Sequence, residues 1–242
     1  MFTKILLLTD LVSFLNDPFP EKISVELNYK EKFQYLLQFG LLAIVIYFVF
    51  FIVAVIEKLI LYKYGIEIIM KDFGLKGIPA ILIIAFLGPF REELLFRLPL
   101  SFRKKDINIW IFTLLGMITI YTVSFYKDNN LTNTGAALIN CFIIMAGAGI
   151  IYLFNRFPEE SLEKIKISSG KYIVRSSVII FTLAHLTNIV NFDIRLLLIY
   201  LINLFPIFFL ATILSFCRLR LGFFYGFLFH IAWNFLPALN HI

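Results

Sequence analysis

Two histidines, His185 and His230, and the adjacent carboxylates Glu92-Glu93 stand inside strongly apolar stretches of the chain. An ionisable side chain at membrane depth is expensive and is kept for pairing or for function. In Arg91-Glu92-Glu93-Leu94-Leu95-Phe96-Arg97 the two glutamates of a helix point about 100° apart, whereas Glu93 and Arg97, four residues apart, share a face and make a natural ion pair. Glu92 is then the freer carboxylate, on a face with Phe96, where poor solvation strengthens it as a general base. Pairing of both glutamates with Arg91 and Arg97 in a headgroup layer would account for the motif equally well.

In Phe181-Thr182-Leu183-Ala184-His185-Leu186-Thr187-Asn188 the histidine lies one helical turn after Phe181, and Asn188 follows on roughly the same side. His230 and Asn234 are at i and i+4, so two hydrogen-bonding side chains project from one face of an apolar helix. Such a pair suits an oxyanion site, and it suits a polar clasp between helices equally well. Pro89, with Gly88 before it, removes a backbone hydrogen bond and predicts a kink or a restart of its helix. A restart would put Glu92 and Glu93 in a first turn, where the helix dipole favours negative charge.

The elements that must position these residues are membrane helices. The chain has 242 residues, 60% of them hydrophobic and 17% aromatic, with mean hydropathy +0.89, which excludes an ordinary soluble domain. Apolar windows fall near 33 to 56, 79 to 100, 107 to 125, 134 to 155, 176 to 192, 196 to 216 and 222 to 239. The expected fold is all-α, a polytopic transmembrane bundle of about seven to eight helices. Residues 1–32 are expected to form an interfacial helix plus loop, and 33–242 one membrane domain, with Arg156 to Arg175 as the longest polar connection. The formal charge of +6 does not point to nucleic acid. Lys30, Lys32, Arg103, Lys104, Lys105, Arg156, Arg175, Arg218 and Arg220 gather on the side of the N-terminus, which is expected to be cytoplasmic. Cys141 and Cys217 are too far apart for a metal motif and are expected to be packing residues. Counted from Ser101, Ser176 and Gly222, the residues Glu92, His185 and His230 lie at one depth, about 12 to 14 Å in at 1.5 Å per residue. Shared depth predicts a single buried site.

Taken in order, Glu92-Glu93-x-x-x-Arg97, Phe181-x-x-x-His185 and His230-x-x-x-Asn234 resemble the CPBP family of intramembrane proteases, also called Abi, over about residues 80 to 238. That family includes type II CaaX prenyl endopeptidases and bacterial proteins of bacteriocin processing or self-immunity. The resemblance implies that Glu92 and His185 activate water against a peptide carbonyl, that His230 and Asn234 stabilise the oxyanion, and that Glu93 and Arg97, with Phe181 and Asn188, support the site. It implies a membrane-associated or prenylated peptide or protein as substrate, the lipid bilayer as setting, and a bacterial cell membrane as location. It also raises zinc as a cofactor, with Glu92, His185 and His230 as candidate ligands around one open position. No HExxH segment is present, so spacing leaves a metal-free glutamate mechanism equally open. Two other readings compete. A proton- or cation-coupled transporter uses the same residue types, although no inverted repeat is evident, and a non-catalytic immunity protein would need only to bind.

Overall fold

The structure is a computed structural model that describes residues 7–19, 27–63, 74, 76–128, 133–190 and 192–239. Every regular element among them is helical. Eight helices follow in chain order: α1 (Leu7–Asn16), α2 (Tyr29–Lys63), α3 (residues 77–101), α4 (Lys104–Asp128), α5 (Asn133–Asn155), α6 (Glu159–Ala184), α7 (Leu197–Phe216) and α8 (Phe223–Leu239). Among the described residues four segments are long and apolar enough to cross a membrane: Tyr29–Lys63, Lys104–Phe125, Ala137–Asn155 and Ile194–Leu221. Large apolar side chains on them face outward, among them Leu41 at 66% exposure, Phe112 at 72% and Met145 at 73%. In water such a surface would aggregate, so these faces belong to lipid.

The centre of the bundle is α7, buried without interruption from Leu210 to Cys217. Phe216 anchors three elements there: the rings of Phe14 on α1 and Phe39 on α2 meet it edge-on with centroids 5.3 and 5.2 Å away. Leu11 and Phe14 of α1 thus belong to the protein core. A reciprocal cap starts α2, the Asn28 N–H donating to Glu31 Oε2 at 2.8 Å and the Glu31 N–H to Asn28 Oδ1 at 3.1 Å. Further along, the amide of Asn203 on α7 donates to both oxygens of Glu57 on α2, at 2.8 and 3.0 Å.

Several expectations are corrected. The stretch from 159 to 175 is the first two thirds of α6, not a loop. Its charges hid it from a hydropathy window, yet they suit a helix: Glu159 and Glu160 occupy the first turn, and Lys166 pairs with Glu163 at 2.9 Å. The same helix ends at Ala184, so His185 to Asn188 form a 3-10 turn beyond it. Before α7, Asp193 accepts from the Arg195 side chain and N–H, which holds its carboxyl below the usual carboxylate range. Cys217 is buried, but Cys141 is exposed and packs nothing away.

Pro89 neither breaks nor restarts α3. The preceding turn, Leu82–Leu87, widens to a π-helix, and the Gly88 N–H reaches back five residues to Ile83 O. The chain then stays helical through Glu92, so no free N-terminus faces the acidic pair. A second π turn spans Glu93–Arg97 and a 3-10 turn Leu98–Ser101, after which Phe102 takes φ of 55° to end the helix.

Candidate functional site

Glu93 is wholly buried between α3, α7 and α8. Its Oε1 lies 3.4 Å from Arg97 Nη1 and 3.0 Å from Nδ1 of His230. Burial of an ion is tolerable only with close partners, and here each is within 4 Å. His230 Nε2 lies 3.4 Å from Glu92 Oε2, so the imidazole bridges the two carboxylates. Its exposure is 1%, against 21% for the Glu92 side chain. Adjacent glutamates that cannot share a helix face therefore meet at one ring reaching in from α8.

Phe181 is the hub on the other side. The Arg97 guanidinium sits 3.9 Å from its ring centroid, a stacked cation in a dry place. His185 and His230 have ring centroids 4.8 and 6.1 Å from the same phenyl, and Phe96 meets it edge-on at 5.3 Å. His185 Nδ1 is 2.9 Å from Phe181 O. A carbonyl only accepts, so Nδ1 carries a proton and donates it there, which leaves Nε2 as the nitrogen turned to other partners. Asn188 closes the 3-10 turn, partly exposed.

Asn234 has a different task. In the π register of residues 82–87 the carbonyl of Ile84 would take its hydrogen bond from residue 89, which is proline and has no N–H. The Asn234 amide donates to that carbonyl at 3.3 Å. It repairs the proline gap and ties α8 to α3, the clasp role for this residue, with one amide N–H committed and the second left to donate elsewhere. Asn234→Ala is expected to cost about 1 kcal/mol, the net loss of a part-buried hydrogen bond. Chemical unfolding in detergent would read this, and unchanged stability would remove the assignment.

Two buried charges escaped the sequence reading. Arg218, in the π extension Cys217–Leu221 of α7, donates from Nη2 to Asp106 Oδ2 at 2.7 Å, and from Nε and Nη2 to the carbonyls of Arg97 and Leu98 at 3.3 and 3.5 Å. Asp106 also accepts from Ser101 Oγ at 2.6 Å and from Arg103 Nε at 3.2 Å. Arg218 thus fixes the backbone of the residue whose side chain holds Glu93. An aspartate in the first turn of α4, directly after Arg103-Lys104-Lys105, was the available signal, but sorting those cations by loop assigned them to orientation alone.

Among the described residues no group of three His, Cys, Asp or Glu stands together as a metal site. Both ring nitrogens of His230 face carboxylates, whereas His185, with Nδ1 held by the Phe181 carbonyl, presents Nε2, the arrangement usual for a metal-ligating imidazole. The site has the parts of a proton-transfer centre: one partly exposed carboxylate, an imidazole joining it to a buried carboxylate, and a second imidazole across Phe181. Compared with known proteins, the chain matches no family model, no curated protein and no solved structure.

Proposed function

We propose that this protein is an intramembrane endopeptidase that hydrolyses a peptide bond in a membrane-associated peptide or protein, with Glu92 as general base. The observation that carries the reading is the bridging of Glu92 and Glu93 by His230, with only Glu92 open enough to meet water. In the reaction, water oxygen attacks the peptide carbonyl carbon while Glu92 takes the water proton. Collapse of the tetrahedral species breaks the C–N bond, and the same proton passes to the departing amine. His185, with Nε2 available, assists this transfer. His230 orients Glu92, and Glu93 and Arg97 hold His230. An oxyanion contact from His230 would require it to leave one of its carboxylates, whereas the Asn234 amide, which gives one N–H to Ile84 O, has a second to offer. A CaaX-type or bacteriocin-type substrate, a bacterial membrane and a cytoplasmic N-terminus complete the proposal, on the strength of the motif resemblance and the distribution of lysine and arginine.

The test is cleavage by the purified protein in liposomes carrying membrane-anchored test peptides, with new termini identified by mass spectrometry. A product that forms with the wild type and survives exhaustive chelation is expected. The Glu92–His230–Glu93 chain also favours one rival, since carboxylates joined through an imidazole are a segment of proton wire. Proton flux across the same liposomes, without cleavage of any peptide, would replace the protease reading with a transporter.

A further inference from the structure

The end of the bundle where α1, the start of α2, the α3–α4 turn, the early part of α6 and the end of α7 meet encloses a cavity of about 1200 Å³. It is separate from the Glu92–His230 cluster, none of whose residues line it. Five cationic side chains border it against three acidic ones, and the acids have local partners. Glu163 is paired with Lys166, Asp17 accepts the N–H of Phe19 at 3.2 Å and neighbours Arg220, and Asp10, near Tyr35, has an interaction of its own, while Asp106, outside the lining, takes Arg218 and Arg103. Donors remain in excess. Arg103 gives Asp106 only its Nε among five N–H groups, and its side chain is 72% exposed. Lys32 rests over the ring of Tyr225, 5.6 Å from its centroid. Arg220 has Asp17 and Tyr35 as charged or ionisable neighbours. These three cations come from three different elements and share one cavity, whose remaining wall includes Phe14, Phe19 and Leu219.

We infer that this cavity binds a phosphate-bearing anion, as found in the headgroup of an acidic phospholipid, with Lys32, Arg103 and Arg220 as the phosphate contacts. Cationic donors converging over an apolar wall match a headgroup joined to its glycerol and acyl region. The cavity also lies where the spanning segments beginning at Tyr29 and ending at Leu221 leave the apolar layer, which is headgroup depth. Basic pockets between helices at that depth are suited to anionic lipids.

The full-length protein would be purified in detergent, mixed with phosphatidylcholine and phosphatidylglycerol micelles in equal amounts, and its retained lipids weighed by native mass spectrometry. Phosphatidylglycerol is expected to be retained several-fold over phosphatidylcholine. Lys32→Gln with Arg220→Gln is expected to bring that ratio to about one, while Lys58→Gln, at the far end of α2, leaves it unchanged. Lys32→Gln alone, measured beside thermal unfolding, guards against a double variant that does not fold and is expected to reduce the ratio at least twofold. Inorganic phosphate distinguishes the sources: if it protects the wild type but not the variant from heat while no lipid is enriched, the site serves a soluble phosphate. No enrichment and no phosphate protection in the wild type would overturn the proposal, as would enrichment that folded variants retain.

Discussion

Glu92→Gln is expected to lower peptide cleavage by about 10² to 10⁴, the usual contribution of a positioned general base, while leaving the protein folded. The amide keeps the shape of the carboxylate and an oxygen within reach of His230 Nε2, now 3.4 Å from Glu92 Oε2, but it cannot accept the proton of the attacking water. Partial exposure of this side chain keeps the structural cost small. The neighbouring substitution should behave differently. Glu93→Gln removes the negative charge that the buried Arg97 faces at 3.4 Å, so activity and stability are expected to fall together. Cleavage rate and unfolding midpoint measured on both variants separate the roles. A Glu92→Gln protein that cuts at the wild-type rate would end the assignment of Glu92 as base.

The second large effect is expected at a distance from the chemistry. Arg218→Met leaves Asp106 with Ser101 and the exposed Arg103 and strips the Arg97 and Leu98 carbonyls of their donor. Loss of one partner from a buried pair costs on the order of 3 to 5 kcal/mol. Arg218→Lys should recover only part of it, because a single ammonium cannot reproduce a fork that serves a carboxylate and two carbonyls at once. Adding Asp106→Leu to Arg218→Met should restore more stability than the lysine does, since no uncompensated charge then remains. Urea unfolding in mild detergent reads all three. A double variant no more stable than Arg218→Met would show that the carbonyl contacts, not the ion pair, carry the energy.

Much of this architecture was legible because membrane helices announce themselves. With backbone groups obliged to bond internally, apolar runs such as those of α2, α5 and α7 have little choice but helix. The Glu93–Arg97 pair followed from spacing alone, and 3.4 Å separates the two. What spacing could not convey was side-chain reach across helices. His230 points at both glutamates because α8 packs against α3 at the level of residues 92 and 93, a fact of tertiary packing absent from either segment. Asn234 was read with His230 as a donor pair on one face, but its partner is set by the missing N–H of Pro89, 145 positions away in the chain. The loop reading of residues 156 to 175 failed for another reason. Hydropathy measures where a helix is in lipid, not where it is helical, and the charged part of α6 continues past the apolar layer.

The two widened turns of α3 have a consequence for length rather than for type. Each π turn holds one residue more than an α turn of the same height, so Leu82–Leu87 and Glu93–Arg97 together place two surplus residues around the acidic pair. Deleting one residue from the first would let that turn relax to ordinary α geometry and swing everything upstream by about 100° relative to Glu92 and Glu93. The carbonyl offered to Asn234 would leave its face, and α8 would lose its grip on α3. Residues 82–97 can therefore accept many exchanges of one apolar side chain for another but no insertion or deletion, and the reach of His230 to both glutamates is protected by the residue count of the segment as much as by its chemistry.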